Sequence, residues 1–121
     1  MLGVGIDAVD IERFRLLLAR RPGMRERLFT AAELAYTAGK TVDTASLAAR
    51  FAAREAVMKA MGVGLGAFGF HEAWVERTDG GRPHLVLTGR ALELAIDRGI
   101  TSWHLSLTHT DTLALAYVVA Q

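Results

Sequence analysis

Residues 49–69 read ARFAAREAVMKAMGVGLGAFG, a helical pattern that runs into a glycine-rich loop. At about 100° per residue, Leu47, Phe51 and Met58 fall on one apolar stripe of a helix over residues 47–61. This is the longest helical pattern in the chain, and we expect a sheet to pack against it.

Four charged side chains lie on or beside this stripe: Arg50, Arg54, Glu55 and Lys59. Arg54 falls inside the stripe, whereas Glu55 and Lys59 border it on one side and Arg50 on the other. Glu55 and Lys59 are four residues apart, which alone is typical of a surface ion pair. A carboxylate and three cations beside an open loop favour a site for an anion, because loop amides can also approach it.

The composition is that of one folded domain. With 121 residues, 51% of them hydrophobic, the chain is large enough for a single core, which we place over residues 1–121. The chain contains no cysteine, and no apolar segment reaches the about 20 residues that cross a bilayer. We therefore expect a soluble, cytoplasmic protein without disulfides, thiolate metal sites or a membrane anchor.

The first residues predict a strand that carries a carboxylate. In residues 2–7, LGVGID, apolar residues alternate with Gly3, Gly5 and Asp7, which is the period of a strand with one apolar face. Asp7 shares the glycine face near the expected end of the strand. A lone aspartate there is more often a cap or turn residue, but the open space beside glycines would let it meet Glu55 across a divalent ion.

Two oxygen ligands suit Mg²⁺, which usually keeps several coordination positions for waters and substrate phosphates. The neighbouring cations would then hold the phosphates. A dinucleotide-binding site finds less support. GLGAFG at residues 64–69 matches the dinucleotide fingerprint, but it follows a helix instead of joining a strand to a helix. His109 lies at the end of a predicted strand. There it is a core residue, a turn residue or part of a site, and the sequence does not choose among these.

Capping residues and alternation predict the remaining elements. Three helix starts are expected, at Asp10, at a capping box of Thr30 and Glu33, and at Thr44 or Ser46 after a polar loop over residues 39–44. Paired β-prone runs predict hairpins at residues 71–88, with a turn at 79–83, and at residues 103–119, with a helix over 89–99 between them. The order β-α-α-α-β-β-α-β-β indicates an α+β fold with a largely antiparallel sheet. Both faces of the last hairpin are fairly apolar, so we expect an oligomer.

Positive charge is concentrated near the N-terminus. Residues 10–27 hold six arginines against three acidic residues, while the whole chain has a net charge of +1. This segment suits an acidic or phosphate-bearing partner, or it is a solvated helix face. A rival to an enzyme is therefore a non-catalytic basic module for an acidic protein or nucleic acid. Such a module has no use for Asp7 and Glu55 together, and the arginines lack the interleaved aromatic residues of single-strand binders.

Five blocks follow one another along nearly the whole chain: GVGIDAVDIER (residues 3–13), LFTAAEL (28–34), SLAARFAAREAVMKAMGVGLG (46–66), DGGRPHLVLTG (79–89) and HLSLTHT (104–110). Together they resemble the holo-[acyl-carrier-protein] synthases, the small bacterial type of 4′-phosphopantetheinyl transferase. The resemblance implies a 4′-phosphopantetheinyl transferase-like α+β fold and a homotrimer with active sites between subunits. It also implies Mg²⁺-dependent transfer of the phosphopantetheine arm of coenzyme A to a serine of an apo acyl carrier protein, which releases adenosine 3′,5′-bisphosphate. If the chain has this activity, we expect no nucleic acid among its partners.

Motif position carries the family's functional residues onto this chain. Asp7 and Glu55 fall on its Mg²⁺ ligands and, with Lys59 on its pyrophosphate contact, form the implied catalytic group. The implied coenzyme A contacts further include Arg50, Arg54, His109, and Gly62 and Gly64 of the loop 62–66. Arg13 and Arg20 match first-helix positions that meet acidic residues of the carrier protein.

The resemblance leaves two features of the site undecided. Arg54 stands where the family usually has lysine, and its planar guanidinium changes the geometry of that contact. The proton lost by the attacking serine has two candidate acceptors, a metal-bound water and Glu55.

Overall fold

The computed structural model describes residues 1–39, 43–77 and 81–121. The elements are, in chain order, β1 (Gly3–Asp10), α1 (Ile11–Arg20), α2 (Met24–Leu28), α3 (Ala31–Thr37), α4 (Asp43–Met61), a 3₁₀ turn (Phe70–Glu72), β2 (Ala73–Arg77), β3 (Pro83–Leu87), α5 (Gly89–Asp97), β4 (Trp103–His109) and β5 (Leu113–Ala120). The predicted order is confirmed, with α2 and the 3₁₀ turn as additions. Parts of the predicted loop at 39–44 and turn at 79–83 lie outside the described residues.

The strands form two antiparallel sheets, as the α+β prediction requires. One has the order β1-β5-β4, and the other pairs β2 with β3. In the first sheet Asp7 lies opposite Ala116 of β5, which in turn lies opposite Leu107 of β4. β5 is therefore the central strand, and the N-terminal strand β1 occupies one edge beside it.

Helix α4 is the centre of the molecule, with β1 and β5 packed along it. It begins at Asp43, just before the predicted starts at Thr44 and Ser46. Its buried face is much wider than the predicted stripe, because small residues pack where larger ones would not fit; the buried alanines are 45, 48, 49, 52, 53 and 56. This alanine surface lets the sheet approach the helix closely.

The contact between β1 and α4 is closest at Gly3 and Gly5. A methyl group added at Gly5 would overlap the backbone carbonyl oxygen of Ala56, and one at Gly3 would overlap that of Ala60. Neither carbonyl can move without disturbing the helix, so only glycine fits at these two positions of β1. The glycines thus place the Asp7 side of β1 directly on α4.

The predicted alternation of the first strand is confirmed, but the strand does not end near Asp7 as predicted. Asp7 does share the glycine face, but the strand continues past it to Asp10. The apolar residues Leu2, Val4 and Ile6 do not face the core, since they are 57%, 47% and 55% exposed. The reason is the glycine contact, which requires the side-chain-free face of the strand to meet the helix.

The outer face of this sheet is an apolar surface. Val4 lies opposite Val119, and Ile6 lies opposite Tyr117, whose side chain is 45% exposed. A continuous exposed apolar face of this kind is typical of a protein interaction site. It agrees with the expectation of an oligomer from the C-terminal hairpin.

Helix α1 is fixed on α4 by aromatic side chains. The predicted N-cap is confirmed, because the backbone N–H of Arg13 donates to Asp10 Oδ1 over 2.9 Å. One turn further, Phe14 packs against Phe51 of α4 with ring centroids 5.4 Å apart, and against Phe29 at 6.1 Å. The strand β1, the cap and this ring cluster together hold the start of α1 beside Asp7.

Replacing Gly5 by alanine should destabilise the fold by about 3 kcal/mol, because the new methyl group meets backbone atoms of α4 that cannot move aside. The measurement is the free energy of unfolding in urea. Gly64→Ala is the matched control, since nothing lies within 4 Å of a methyl group there, and it should change stability by less than about 0.5 kcal/mol. Equal stabilities for the two variants would contradict the proposed close contact.

Candidate active site

Asp7, Lys59 and Glu55 meet where β1 crosses the C-terminal half of α4. Lys59 Nζ donates to Asp7 Oδ1 over 3.1 Å and to the carbonyl oxygen of Ile6 over 3.0 Å. Lys59 thus bonds a residue 52 positions away in the sequence, whereas the surface-pair alternative pairs it with Glu55 of its own helix. Asp7 is largely sheltered, with 18% of its side chain exposed.

Glu55 is half-buried beside this pair. Burial raises the pKa of its carboxyl group, the negative charge of Asp7 raises it further, and Lys59 opposes the shift. A carboxyl group whose pKa is raised by a neighbouring carboxylate marks a place that attracts a cation. The sequence prediction that Asp7 and Glu55 meet is therefore supported by the influence of Asp7 on Glu55.

The carboxylate oxygens of Asp7 and Glu55 are suited to Mg²⁺ and do not form the closed ligand set of a transition-metal site. Within residues 1–39, 43–77 and 81–121, no group of three histidine, cysteine, aspartate or glutamate side chains is arranged to hold a metal ion. Two carboxylates leave most octahedral positions for waters and phosphate oxygens, which is how Mg²⁺ is commonly held.

A cavity of about 460 Å³ opens from these carboxylates along α1. Apolar side chains, among them Phe14, Leu17 and Phe51, line it together with the charged residues Asp7, Asp10, Arg13 and Glu55. Arg13 is exposed, as is Arg20 near the end of the helix. The two predicted carrier-binding arginines are thus accessible, and Arg13 lines the cavity that contains the carboxylates.

Arg50 lies on a different side of α4. It is five residues before Glu55, which on a helix places the two side chains roughly 140° apart. Its guanidinium packs 5.0 Å over the ring of Tyr36 and is only 3% exposed. Burial lowers the pKa of Arg50, Glu33 opposes the shift, and the positive charge of Arg77 adds to the lowering.

His109 belongs with Arg50, not with the carboxylates. It is exposed at the end of β4 and lines a cavity of about 140 Å³ together with Ser46, Arg50 and Arg77. The predicted site residues therefore fall into two groups within one chain. One group is Asp7, Glu55 and Lys59; the other is Arg50 and His109.

The glycine loop begins where α4 ends. Gly62 has a φ of +70°, and its N–H donates to the carbonyl of Lys59 while Val63 N–H donates to that of Met58. These are the bonds of a glycine-terminated helix. Around Gly64 there is open space within 4 Å of an added methyl group, which leaves the backbone approachable one turn beyond Lys59.

Arg54 corrects the sequence prediction of a coenzyme A contact. Its side chain is 1% exposed and forms a bidentate pair with Glu33, at 2.5 and 3.0 Å, while its Nε donates to the carbonyl of Phe70 over 2.8 Å. Glu33 also closes the predicted capping box at Thr30 and accepts from the N–H of Val75. Arg54 is therefore a core residue that ties α4 to α3 and to the 3₁₀ turn, and all three of its guanidinium nitrogens bond to protein acceptors.

The sequence prediction does not include two charged residues, Arg77 and Glu72. Arg77, at the end of β2, shares a cavity with Arg50 and His109. Glu72 accepts the backbone N–H groups of Gly69 and Arg90, and these bonds lower its pKa. It thereby ties the end of the glycine loop to α5. Neither residue stands in a pattern that the sequence alone distinguishes from a surface charge.

Comparison with known proteins decides the family. The family model of the 4′-phosphopantetheinyl transferase superfamily matches residues 3–118. The chain belongs to this superfamily. It is thus an enzyme, a phosphopantetheinyl transferase, and the rival interpretation as a non-catalytic basic module is not supported.

Similar proteins from two bacteria carry the same name. This transferase is 48% identical to the holo-[acyl-carrier-protein] synthase of Streptomyces avermitilis, over 100% of this chain and 98% of that protein. It is also 48% identical to the enzyme of the same name from Micrococcus luteus, over 100% of this chain and 92% of that protein. The resemblance found in the sequence blocks is confirmed.

Solved structures agree with the fold of the transferase. The holo-[acyl-carrier-protein] synthase of Neisseria meningitidis matches with a TM-score of 0.89 and 29% identity, covering 100% of this chain and 98% of that one. The enzyme of Helicobacter pylori, solved in complex with coenzyme A, matches with a TM-score of 0.84 and 28% identity, covering 98% and 99%. In the described ranges of this transferase, no helix is both long and apolar enough to traverse a bilayer.

Arg54→Lys should lower the free energy of unfolding by about 2 kcal/mol, because lysine cannot replace the paired bonds to Glu33 and the bond to Phe70. The KM for coenzyme A should stay within about two-fold of wild type, since the side chain does not reach a ligand. Arg15→Lys, at an exposed position, is the control and should alter neither quantity. A changed KM with unchanged stability would return Arg54 to the binding site.

Proposed function

We propose that this enzyme transfers the 4′-phosphopantetheine group of coenzyme A to a serine hydroxyl of an apo acyl carrier protein. The second product is adenosine 3′,5′-bisphosphate, and the reaction depends on Mg²⁺ in the cytoplasm. The observation that carries the proposal is the junction of β1 and α4, where two carboxylates and a lysine lie beside an open cavity. The names of the relatives support the carrier protein as acceptor, and the coenzyme A complex of the Helicobacter pylori enzyme supports the donor.

Asp7 and Glu55 would hold the metal ion, since they supply the oxygen donors that it prefers. When bound, Mg²⁺ neutralises charge on the diphosphate of coenzyme A and polarises its phosphoryl oxygens. Lys59 already donates to Asp7 and is exposed over 55% of its side chain. Its flexible ammonium group can therefore turn toward the diphosphate and stabilise the negative charge that grows on the leaving group.

In the transfer the serine oxygen forms a bond to the β-phosphorus of coenzyme A, and the bond from that phosphorus to the bridging oxygen breaks. The serine proton passes to Glu55 or to a water at the site, the two candidate acceptors, and the bridging oxygen leaves with adenosine 3′,5′-bisphosphate. Most of the rate acceleration comes from holding the two substrates in line and from stabilising charge. The serine would enter the cavity that Asp7, Glu55 and Arg13 line.

We further propose a homotrimer whose active sites lie between subunits. Within one chain, Arg50 and His109 face away from Glu55, so the nucleotide and metal groups do not meet. The apolar outer face of β1 and β5 is suited to bury against another copy. Assembly would then bring Arg50 and His109 of one subunit beside Asp7, Glu55 and the loop around Gly62 and Gly64 of the next.

The carrier protein would dock on α1. Arg13 and Arg20 are seven residues apart and both exposed, so they lie on one helix face about two turns apart. Such a pair is suited to an acidic helix of the partner. The apolar residues that line the same cavity as Arg13 offer a place for an apolar side chain of the carrier.

The proposal is tested by incubating the protein with an apo acyl carrier protein, coenzyme A and Mg²⁺, and taking the intact mass of the carrier. We expect a gain of one phosphopantetheine group, which an EDTA control abolishes. A folded protein that modifies no carrier from several sources would contradict the proposed function. Modification that persists in EDTA would contradict the role of the metal.

Glu55→Gln should reduce Mg²⁺-dependent turnover by at least about 100-fold, because the amide keeps the shape of the side chain but removes the charge that binds the cation. The assay is the initial rate of carrier modification, with the melting temperature as the check on folding. Glu93→Gln changes an exposed side chain on α5. It is the control and should retain full activity. Near-normal turnover in folded Glu55→Gln would remove Glu55 from the metal site.

Arg13→Glu should raise the KM for the carrier protein about ten-fold or more while leaving the KM for coenzyme A nearly unchanged. The reversed charge weakens electrostatic association with an acidic partner, so the wild-type KM for the carrier should also rise with salt. Arg90→Glu, on α5, changes the charge equally at a remote exposed position and should alter neither KM. Equal increases in both KM values for Arg13→Glu would argue against carrier docking.

A further inference from the structure

The glycine loop, taken here as residues 62–69, is open in the middle and fixed at its ends. Gly64, Leu65 and Gly66 are all exposed, and the exposed fraction of Leu65 is 68%. No described atom lies within 4 Å of a methyl group added at Gly64 or Gly66. Because the middle of the loop has so few neighbours, its position depends on what holds the two ends.

Glu72 holds the C-terminal end of the loop on the start of α5. Its Oε1 accepts from the N–H of Gly69 over 2.5 Å, and its Oε2 accepts from the N–H of Arg90 over 2.7 Å. Its backbone carbonyl accepts from the N–H of Thr88 over 2.8 Å. Within the described chain, Thr88 makes no side-chain capping bond of its own at the N-cap of α5. The carboxylate of Glu72 therefore caps that helix and fixes the loop at the same time.

The start of α5 is shaped to receive this carboxylate. A methyl group added at Gly89 would overlap Glu72 Oε2, and Gly89 has a φ of +55°. Both the missing side chain and the left-handed φ require glycine at this position. The bonds from the two backbone N–H groups lower the pKa of Glu72, so the carboxylate keeps the charge with which it accepts both of them.

Arg98 holds the N-terminal end of the loop from the other end of α5. Its Nε donates to the carbonyl of Met61, the last residue of α4, over 2.9 Å, and its Nη1 donates to the carbonyl of Leu94 over 3.3 Å. The carbonyl of Met61 belongs to the last turn of α4, where carbonyl groups lack partners inside the helix. Arg98 thus fixes the end of α4 directly before Gly62.

One helix therefore connects both ends of the glycine loop. Arg90 and Arg98 are eight residues apart, which is about 12 Å along a helix. We infer that α5 is a brace that sets the distance between the loop ends, and that Glu72 and Arg98 are positioning residues for the binding of coenzyme A. The inference rests on the proposed function and deepens it, because Gly62 and Gly64 of the loop are among the proposed coenzyme A contacts.

A brace of this kind is useful because glycine-rich backbone is costly to order. Glycine loses more conformational freedom than other residues when it is fixed in one conformation. If the loop were free, binding of coenzyme A would have to supply this free energy. With both ends fixed by α5, the loop is ordered before the substrate arrives. Release of either end should therefore weaken coenzyme A and leave the carrier protein unaffected.

The test uses Glu72→Ala and Arg98→Ala, which release one end each. For each variant the KM values for coenzyme A and for the carrier are measured, together with the dissociation constant of adenosine 3′,5′-bisphosphate by calorimetry. The KM for coenzyme A and the dissociation constant should both rise about ten-fold. The KM for the carrier should stay within about two-fold of wild type. A variant that is only less stable has fewer folded molecules, which lowers the apparent kcat and changes neither KM.

Three further variants make the test specific. Glu93→Ala and Arg90→Ala remove exposed side chains of α5 and keep every backbone N–H group; as controls they should alter none of these quantities. Glu72→Gln keeps one acceptor oxygen and should lie between the wild type and Glu72→Ala. It also serves, with Arg98→Ala, if Glu72→Ala does not fold, for which the melting temperature is the check.

The outcomes separate the brace from the proposed function. If the folded variants leave the KM for coenzyme A unchanged, or raise both KM values equally, the brace is contradicted, while carrier modification by the wild type still upholds the function. If the double variant Glu72→Ala, Arg98→Ala shows the full product of the two single effects, the residues act independently and not on one loop. If the variants weaken the bisphosphate but the wild type modifies no carrier, the brace stands and the proposed function fails.

Discussion

The rest of the structure depends on the direct contact between the backbone of β1 and that of α4. Gly3 and Gly5 leave no side chain between the strand and the carbonyl groups of Ala56 and Ala60. At this separation the next residue on the same face, Asp7, reaches the ammonium group of Lys59. The carboxylates are therefore positioned by the packing of two rigid elements, and no loop has to fold over to bring them together.

The same contact has a consequence on the other side of the strand. A strand has two faces, and the face without side chains is used against the helix, so Val4 and Ile6 must point outward. In one chain they remain about half exposed. The pattern that places Asp7 beside Lys59 thus also creates the apolar surface on which we propose that subunits assemble. The proposed site and the proposed assembly are therefore linked through the alternation in residues 2–7.

Much of this fold was predictable because its signals are local. Thr30 and Glu33 form the expected capping box, Asp10 caps the first helix, and the C-terminal hairpin follows its alternation. Which face of β1 packs on α4 was not predictable in the same way. The close fit of the β1 glycines against the alanine-rich helix depends on two elements about 50 residues apart in the sequence. Arg54 was misjudged for a similar reason, since its partner Glu33 lies on another helix.

The sequence predicts site residues where they stand in blocks with a recognisable pattern and misses them where no pattern marks them. Asp7, Glu55 and Lys59 stand in blocks that resemble a known family, and the structure brings them together. Arg77 has no such pattern, and only the fold of β2 beside α4 shows its proximity to Arg50. Its charge could be interpreted only after the cavity around it was known.

The central claim is that two separate groups of residues on one chain form complete sites only between copies. It is tested most directly by complementation, in which Glu55→Gln and His109→Ala are each assayed alone and then after unfolding and refolding together in equal amounts. Each variant alone should be strongly impaired. Mixed oligomers should regain activity, because about a quarter of the shared sites would combine an intact Glu55 with an intact His109 from a neighbour. A mixture no more active than its separate components would contradict the claim and place each complete site within a single chain.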